Sequence, residues 1–335
     1  FFHPEDGIRD CLLSRGLGDV YKRQQNIQLV CLFHGISNNF IMPLHIRHSH
    51  ELIFSMSLFI FITILCAALL HASWNALVKN SDDKIQGMLV LTLTHGFLGL
   101  IFAYFTQVPR IEAWPWLLAS VFFHVIYQCL LALAYNYGNL SRVYPIARGT
   151  APFIVLLVSL FFLDSALVKE EIIGIIILGF GLLMMTQGVF SNHENLRLLP
   201  FALGSAIATA GYTLSDGLGA RISENATSYI SWLFILTVPI FIPTAIALKG
   251  ISVINIPMKT WKIGLAAGLF SFFSYWVAIW AMTKAPIPLV AALRETSILF
   301  AVLIGIFIFK EQVTKQKVIA AFFILCGLII MRLKL

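Results

Sequence analysis

Long apolar runs separated by short polar breaks occupy the chain from Ser57 to its end. Each run holds roughly 18–23 residues, enough for a helix to span the roughly 30 Å hydrocarbon core of a bilayer. Because lipid offers no partner to a backbone polar group, helices are the economical solution. The pattern predicts an all-α integral membrane protein with ten transmembrane helices, at approximately 57–78, 85–106, 114–136, 142–163, 171–189, 199–219, 227–248, 261–283, 287–309 and 316–333.

The composition agrees with a membrane protein and excludes an ordinary soluble one. Hydrophobic residues make up 59% of the chain and charged residues 12%, with a mean hydropathy of +0.87. The net charge of +7 comes from Lys and Arg scattered between apolar runs, which is typical of membrane loops and not of a nucleic-acid interface. The five cysteines show no paired spacing, so we expect no disulfide, no metal site and no cofactor.

The first 55 residues do not follow the helical pattern. Residues 1–24, FFHPEDGIRDCLLSRGLGDVYKRQ, carry charge throughout and lack the apolar region of a signal peptide. They resemble a translated sequencing adapter, the alternative being a genuine soluble tail. We therefore expect 1–55 to be a non-native or disordered extension, with Met56 as the natural start.

Two halves of the chain resemble each other. A shift of 146 residues places Arg148 on Arg294 and Thr150 on Thr296, within otherwise apolar helices. Because each half holds an odd number of helices, the second copy inserts in the opposite direction. The predicted units are two inverted five-helix repeats, 56–190 and 198–335.

Four stretches carry a family resemblance: ALLHASWNALVKNSDDK, GNLSRVYPIARGTAP, GYTLSDGLGAR and LVAALRETSILFAVLIGIFIFKEQ. They resemble the EamA-type members of the drug/metabolite transporter superfamily, over essentially all of 57–333. The resemblance implies ten helices in two inverted repeats, cytoplasmic termini, and a central cavity lined by the first, third and fourth helices of each repeat. It also implies export or exchange of small organic solutes. The loop charges lean slightly against that orientation, since more Lys and Arg fall on the opposite side.

Four charged residues lie away from the ends of the apolar runs, at depths where charge is rare: Arg148, Asp216, Arg294 and Glu295, with Arg142 near a helix end. Placing one such charged side chain at mid-membrane costs at least about 2.5–3.5 kcal/mol on insertion scales, so each of them is expected to have a structural or functional role. They either line a cavity and bind an anionic or zwitterionic solute, or form structural ion pairs between the repeats. Neighbouring residues on a helix point about 100° apart, so Arg294 and Glu295 need separate partners. Glu295 is a candidate partner for Arg148, and Asp216 for either arginine.

The stretch YPIARGTAP brackets Arg148 between Pro145 and Pro152. Proline removes a backbone donor and frees a carbonyl, which membrane helices tolerate where a cavity is lined. We therefore predict a broken helix beside Arg148, forming a binding region. The alternative is a kinked packing helix.

Aromatic and polar residues on other helices complete the predicted solute site. His71, Trp74 and Asn75 share one face of the first helix, and Tyr212 stands at the position of Trp74 in the second half. Tyr135 and Trp280 are weaker candidates. Each of them has an alternative role in helix packing.

No phosphate-binding loop GxxxxGK[ST] is present, so we expect no nucleotide hydrolysis by this chain and predict a secondary transporter that uses a gradient or exchange. A membrane hydrolase or transferase needs a clustered motif such as HExxH, and the chain shows none, so we expect that it is not an enzyme. Asp216, Glu295 and His71 are the titratable candidates for coupling to a proton gradient. The alternatives are a non-transporting sensor or scaffold of the same fold and, less favoured, an integral membrane enzyme. The expected partners are a small-molecule solute and the lipid bilayer, with a multi-pass location in a bacterial inner membrane. Glycine patches such as Gly174 and Gly264 suit either packing of the repeats or a homodimer.

Overall fold

The computed structural model describes residues 56–79, 82–137, 140–163, 165, 167–185, 197–308, 310 and 314–332, except the side chains of 79, 128 and 131–145. The extension predicted for 1–55 lies outside this range, so that expectation stays untested. Within the described residues every regular element is a helix and there is no strand.

The helices follow the predicted apolar runs closely. In chain order they are α1 (Leu58–Lys79), α2 (Lys84–Tyr104), α3 (Trp114–Tyr137), α4 (Leu140–Phe162), α5 (Lys169–Met184), α6 (Leu198–Ile222), α7 (Ala226–Lys249), α8 (Met258–Met282), α9 (Ile287–Arg294), α10 (Ser297–Phe307) and α11 (Lys315–Arg332). Short 3-10 helices, Ile111–Ala113 and Ile251–Ile254, lie before α3 and α8.

The chain is a multi-pass membrane protein. Among the described residues, six stretches are long and apolar enough to cross a bilayer: α1, α2, α6, α7, α8 and the α9–α10 stretch. Shorter apolar stretches cover Ile111–Tyr127 and Ile146–Phe162. Large apolar side chains remain exposed on the outer faces, as lipid contact requires. The predicted total of ten spans stays a prediction.

The two halves of the chain pack through equivalent helices. The first helix of each half packs against the third helix of the other, as α1 on α8 and α6 on α3. The second helices pack against each other as α2 and α7, and the fifth as α5 and α11. This pattern is what a twofold relation between two five-helix units produces.

Contacts at both ends of α2 and α7 show that these equivalent helices run in opposite directions. At the start of α2, Asp83 caps the helix through Oδ1, which accepts from Ile85 N at 3.0 Å, and it also pairs with Lys249 at the end of α7. Beyond the other end of α2, Arg110 pairs with Glu224, just before α7 begins, at 2.8 Å. Polar residues therefore join the loops at the two ends, while apolar faces pack between them.

The break in a helix beside an arginine falls in the second half and not the first. The prediction placed it at Arg148, but α4 continues through Arg148 without interruption. The predicted ninth helix is instead divided at Glu295 and Thr296, where backbone N–H groups bond three residues back and the Thr296 hydroxyl donates to Leu293 O at 2.6 Å. The tighter turn uses up the carbonyls that would continue the helix.

Helices α5 and α11 approach closely at two glycines. A Cβ added to Gly174 would lie 2.4 Å from Met331 Cγ and 2.7 Å from Gly327 O. Gly264 similarly packs against α2, since a Cβ added to it would lie 2.5 Å from Val90 Cβ. Both glycine patches are thus used within the chain, and the homodimer stays a prediction.

Replacing Gly174 with alanine should destabilise the protein because a backbone carbonyl cannot move aside as a flexible side chain does. We expect the free energy of unfolding in detergent to fall by about 1–3 kcal/mol. The control is Gly204→Ala, whose new Cβ meets only the end of the Leu130 side chain, at 3.0 Å. Equal unfolding midpoints for the two variants would contradict the close α5–α11 contact.

Candidate functional site

A buried ion pair joins the two halves of the chain at the centre of the bundle. Arg148 Nε, on α4, donates to Glu295 Oε2 at 3.1 Å, and Arg148 Nη2 lies 3.1 Å from Glu295 Oε1. Only 4% of Arg148 and 5% of Glu295 is exposed. This two-point contact matches the flat guanidinium to the carboxylate, the geometry that best compensates two buried charges.

The first helix contributes His71, Trp74 and Asn75 beside this pair. His71 Nε2 lies 3.3 Å from Arg148 Nη2, while Trp74 Nε1 donates to His71 Nδ1 at 3.2 Å. Both groups facing the imidazole are donors, and a neutral imidazole has one acceptor nitrogen, so His71 accepts from one of them at a time. The Asn75 amide donates to the His71 carbonyl at 2.7 Å, within its own helix. His71 thus extends the Arg148 site, whereas Asn75 bonds locally.

Arg294 is not part of this hydrogen-bonded pair. Its guanidinium lies 4.9 Å from the centre of the Tyr275 ring on α8. No ion pair or hydrogen bond joins Arg294 to any residue that the structure describes. Only 7% of the residue is exposed, so this charge is buried with a ring face as its partner.

Asp216 lies in a second polar cluster, on the other side of Tyr275. Its carboxylate accepts from Tyr229 Oη at 3.2 Å and from Tyr275 Oη. His124 stacks on Tyr212, with ring centres 4.1 Å apart, and its Nε2 lies 3.4 Å from Tyr275 Oη. In the described part of the chain Asp216 therefore has phenol partners instead of the arginine that the sequence suggested.

A small cavity lies between the two halves next to the ion pair. Its volume is about 10 Å³, room for one water molecule. It is lined by the turn between α9 and α10 together with α4 and α6, through Ala151, Pro152, Val155, Thr209, Tyr212, Thr213, Ala291, Arg294 and Glu295.

The structure places the predicted site residues in different surroundings. Arg148, Glu295, His71 and Trp74 are joined by direct contacts, while Arg294 and Tyr212 line the cavity. Trp280 does not line the cavity and packs edge-on against Phe59, at 6.2 Å between ring centres. The side chain of Tyr135 lies outside the described residues.

Thr209 and Tyr229 are polar residues at the centre that the sequence analysis did not select. Thr209 is 3% exposed and its Oγ1 has no hydrogen-bond partner. The alignment of Tyr212 with Trp74 also places Thr209 on His71, so the sequence could have identified Thr209 as a candidate site residue. Tyr229 bonds Asp216 from α7, and nothing in its apolar surroundings distinguished it from a packing residue.

Metal ligation has no support among the described residues, where no group of three or more His, Cys, Asp or Glu could hold an ion. The polar centre instead consists of two arginines, two carboxylates and the phenols and imidazoles that contact them. These groups suit recognition of a polar or charged solute by hydrogen bonds and charge.

Comparisons with known proteins support a transporter. A family model described as the EamA-like transporter family matches residues 56–187 and 197–333. No curated protein matches this chain. A solved crystal structure with 14% sequence identity covers 82% of this chain and 98% of its own, with a TM-score of 0.67. At that identity the structural similarity shows the fold alone.

The Arg148–Glu295 contact predicts strong coupling between the two side chains. Arg148→Met or Glu295→Met alone leaves one buried charge without its partner, which should lower the free energy of unfolding by about 3–5 kcal/mol. The double variant removes both charges and should cost much less than the sum. Unfolding of the four proteins in detergent gives this double-mutant cycle.

The pair between Asp82 and Lys259 serves as the control for that cycle. These side chains are 72% and 66% exposed, with Lys259 Nζ 2.9 Å from Asp82 Oδ2, and their coupling should stay below about 1 kcal/mol. Additive effects at Arg148 and Glu295 would show that the ion pair does not form.

Proposed function

The chain belongs to the EamA-like transporter family, and from that premise we propose a secondary transporter that exports or exchanges small organic metabolites or drugs by alternating access. Its proposed location is a bacterial inner membrane. The observation that carries the proposal is the buried Arg148–Glu295 pair, which connects the two repeats beside a central cavity.

Alternating access needs two units that rock about a central site. The proposal of inverted repeats rests on the opposite directions of α2 and α7 and on the exchange of equivalent helix contacts. Rocking of one repeat against the other would separate α4 from the α9–α10 turn. Because the ion pair bridges these elements, it would open on one side of the cycle.

The proposed solute site comprises the cavity and the side chains that opening would release. Arg294 and Tyr212 line the cavity already. Once Glu295 moves away, the Arg148 donors that hold its carboxylate could bind a solute instead, with His71 and Trp74 beside them. Asn75, Tyr135 and Trp280 remain candidate contacts in the open states.

Glu295 is the proposed coupling group. Its carboxylate both lines the cavity and holds Arg148, so a change in its charge would alter the contact between repeats. Asp216 is less suitable because two tyrosines hold it away from the cavity. His71 faces two donors, which leaves no acceptor for an additional proton in this conformation.

A non-transporting sensor or scaffold of the same fold is the second candidate. The small size of the cavity between the described residues favours it, since this cavity has room for about one water molecule. Transport by reconstituted protein separates the two functions, because a scaffold would move no solute across the vesicle membrane.

Arg148→Ala should abolish solute movement. The variant removes both the inter-repeat contact and the proposed solute contact, so we expect at least about a 100-fold loss, corresponding to one buried charge-assisted contact. The measurement is uptake by proteoliposomes of amino acids, organic acids and toxic cations. Arg110→Ala, at an exposed surface ion pair, should behave as wild type. Wild-type protein that moves none of these solutes would contradict the proposed function.

Glu295→Gln should separate exchange from gradient-driven transport. The glutamine side chain keeps the size of glutamate but has no group that titrates in the working pH range, so uptake should lose its response to an imposed pH gradient. Exchange of labelled for unlabelled solute should persist, which distinguishes lost coupling from misfolding. Uptake that follows the pH gradient equally in both proteins would exclude coupling through Glu295.

A further inference from the structure

The central site has unequal halves, although the two repeats supply equivalent arginines. Both oxygens of Glu295 are bonded to Arg148, so that charge is compensated within the protein. Arg294 has no carboxylate partner among the described residues. The residue equivalent to Glu295 in the first repeat is Gly149, so only one of the two equivalent arginines is followed by an acid.

The contact with Tyr275 leaves the donors of Arg294 available. A guanidinium stacks through its flat face, while its five N–H groups point outward in the plane. The ring of Tyr275 lies 4.9 Å from the guanidinium carbon, and it occupies one face. The N–H edge therefore remains free for an acceptor in the same plane.

A second unpartnered group lines the same cavity. Thr209 Oγ1 is buried, has no hydrogen-bond partner and belongs to a residue only 3% exposed. Buried polar groups are normally paired, so an orphan beside an uncompensated charge indicates a missing ligand. A hydroxyl donor and a guanidinium fork together match the two oxygens of a carboxylate.

We propose that Arg294 and Thr209 hold the carboxylate group of the transported solute, with Tyr212 packing against its adjoining carbon atoms. This inference rests on the proposed function and names the substrate class: an organic solute with one carboxylate. In this conformation a second anionic group has no equivalent place, because Glu295 is bonded to Arg148. An organic monoanion and a zwitterionic amino acid share this chemistry.

Binding to the solubilised full chain tests this assignment without requiring transport. Acetate is the minimal probe, and its affinity is measured from the rise in unfolding temperature with concentration, at ionic strength held constant with sodium chloride. We expect saturable stabilisation of wild type by acetate and none by methylammonium. Arg294→Gln should weaken acetate binding by about 10- to 100-fold, the loss expected for a hydrogen-bonded charge.

Thr209→Val provides a variant that keeps every charge and nearly the same volume. It should weaken acetate binding several-fold while leaving the unliganded protein at least as stable, because it removes an unpaired hydroxyl. Arg294→Lys should bind acetate with intermediate affinity, since the charge stays but the fork is lost. Arg110→Ala is the control and should bind as wild type.

Lactate and alanine distinguish the two sources of a carboxylate. Tighter binding of lactate identifies an organic monoanion, and tighter binding of alanine a zwitterion. Acetate that fails to stabilise wild type, or that stabilises Arg294→Gln equally, would overturn the carboxylate site. Such a failure is separate from that of the proposed function, because vesicle uptake of any solute that depends on Arg148 would still establish transport.

Discussion

The buried contact between Arg148 and Glu295 is the interaction on which the centre of the molecule depends. A charge inside a membrane protein is tolerable only beside a partner or a polar cavity. Satisfying both members at once fixes α4 of the first repeat against the α9–α10 turn of the second. The surrounding helices pack through small and apolar residues, which offer little directional preference. The ion pair therefore specifies the register at the centre, in addition to the contacts of Asp83 with Lys249 and of Arg110 with Glu224 at the two ends of the bundle.

The relation between the repeats shows where the two halves of the centre differ. Arg148 and Arg294 occupy equivalent positions in the two repeats. Arg148 lies beside His71 of α1, and Arg294 lines the cavity together with Thr209 of α6, the equivalent helix. The two positions differ because Glu295 is bonded to Arg148 and no equivalent acid is bonded to Arg294 among the described residues. Because adjacent residues on a helix diverge by about 100°, Glu295 faces α4 while Arg294 faces the Tyr275 ring of α8. A nearly symmetric scaffold thereby holds one neutralised half-site and one charged half-site, an arrangement suited to a solute whose two ends differ.

Much of the fold could be predicted from the sequence because a bilayer permits few solutions. Apolar runs of roughly 18–23 residues predicted most helix ends to within a few residues of those in the structure. The alignment of Arg148 with Arg294 predicted two repeats, and the family match over two ranges supports this. The pairing of Glu295 with Arg148 followed from the scarcity of buried charges, and the structure has it. The helix break was misplaced because Pro145 and Pro152 are strong local signals, whereas the turn at Thr296 depends on a hydroxyl bond and on tertiary contacts. Partners such as Tyr229 for Asp216 depend on which faces meet, and spacing along one helix does not contain that information.

The break between α9 and α10 also suggests how the centre would open in the proposed transport cycle. A continuous helix transmits motion along its length, while a turn of three-residue hydrogen bonds bends more readily. Glu295 and Arg294 lie at this turn, so a small change in its angle would redirect both side chains without unpacking α10 from α1 or α9 from α4. In the first repeat Arg148 stays on the uninterrupted helix α4, which provides a fixed reference. The charge at the turn and the charge on the continuous helix thus lie on opposite repeats, so in the proposed alternating access a relative movement of the repeats would make or break one buried ion pair.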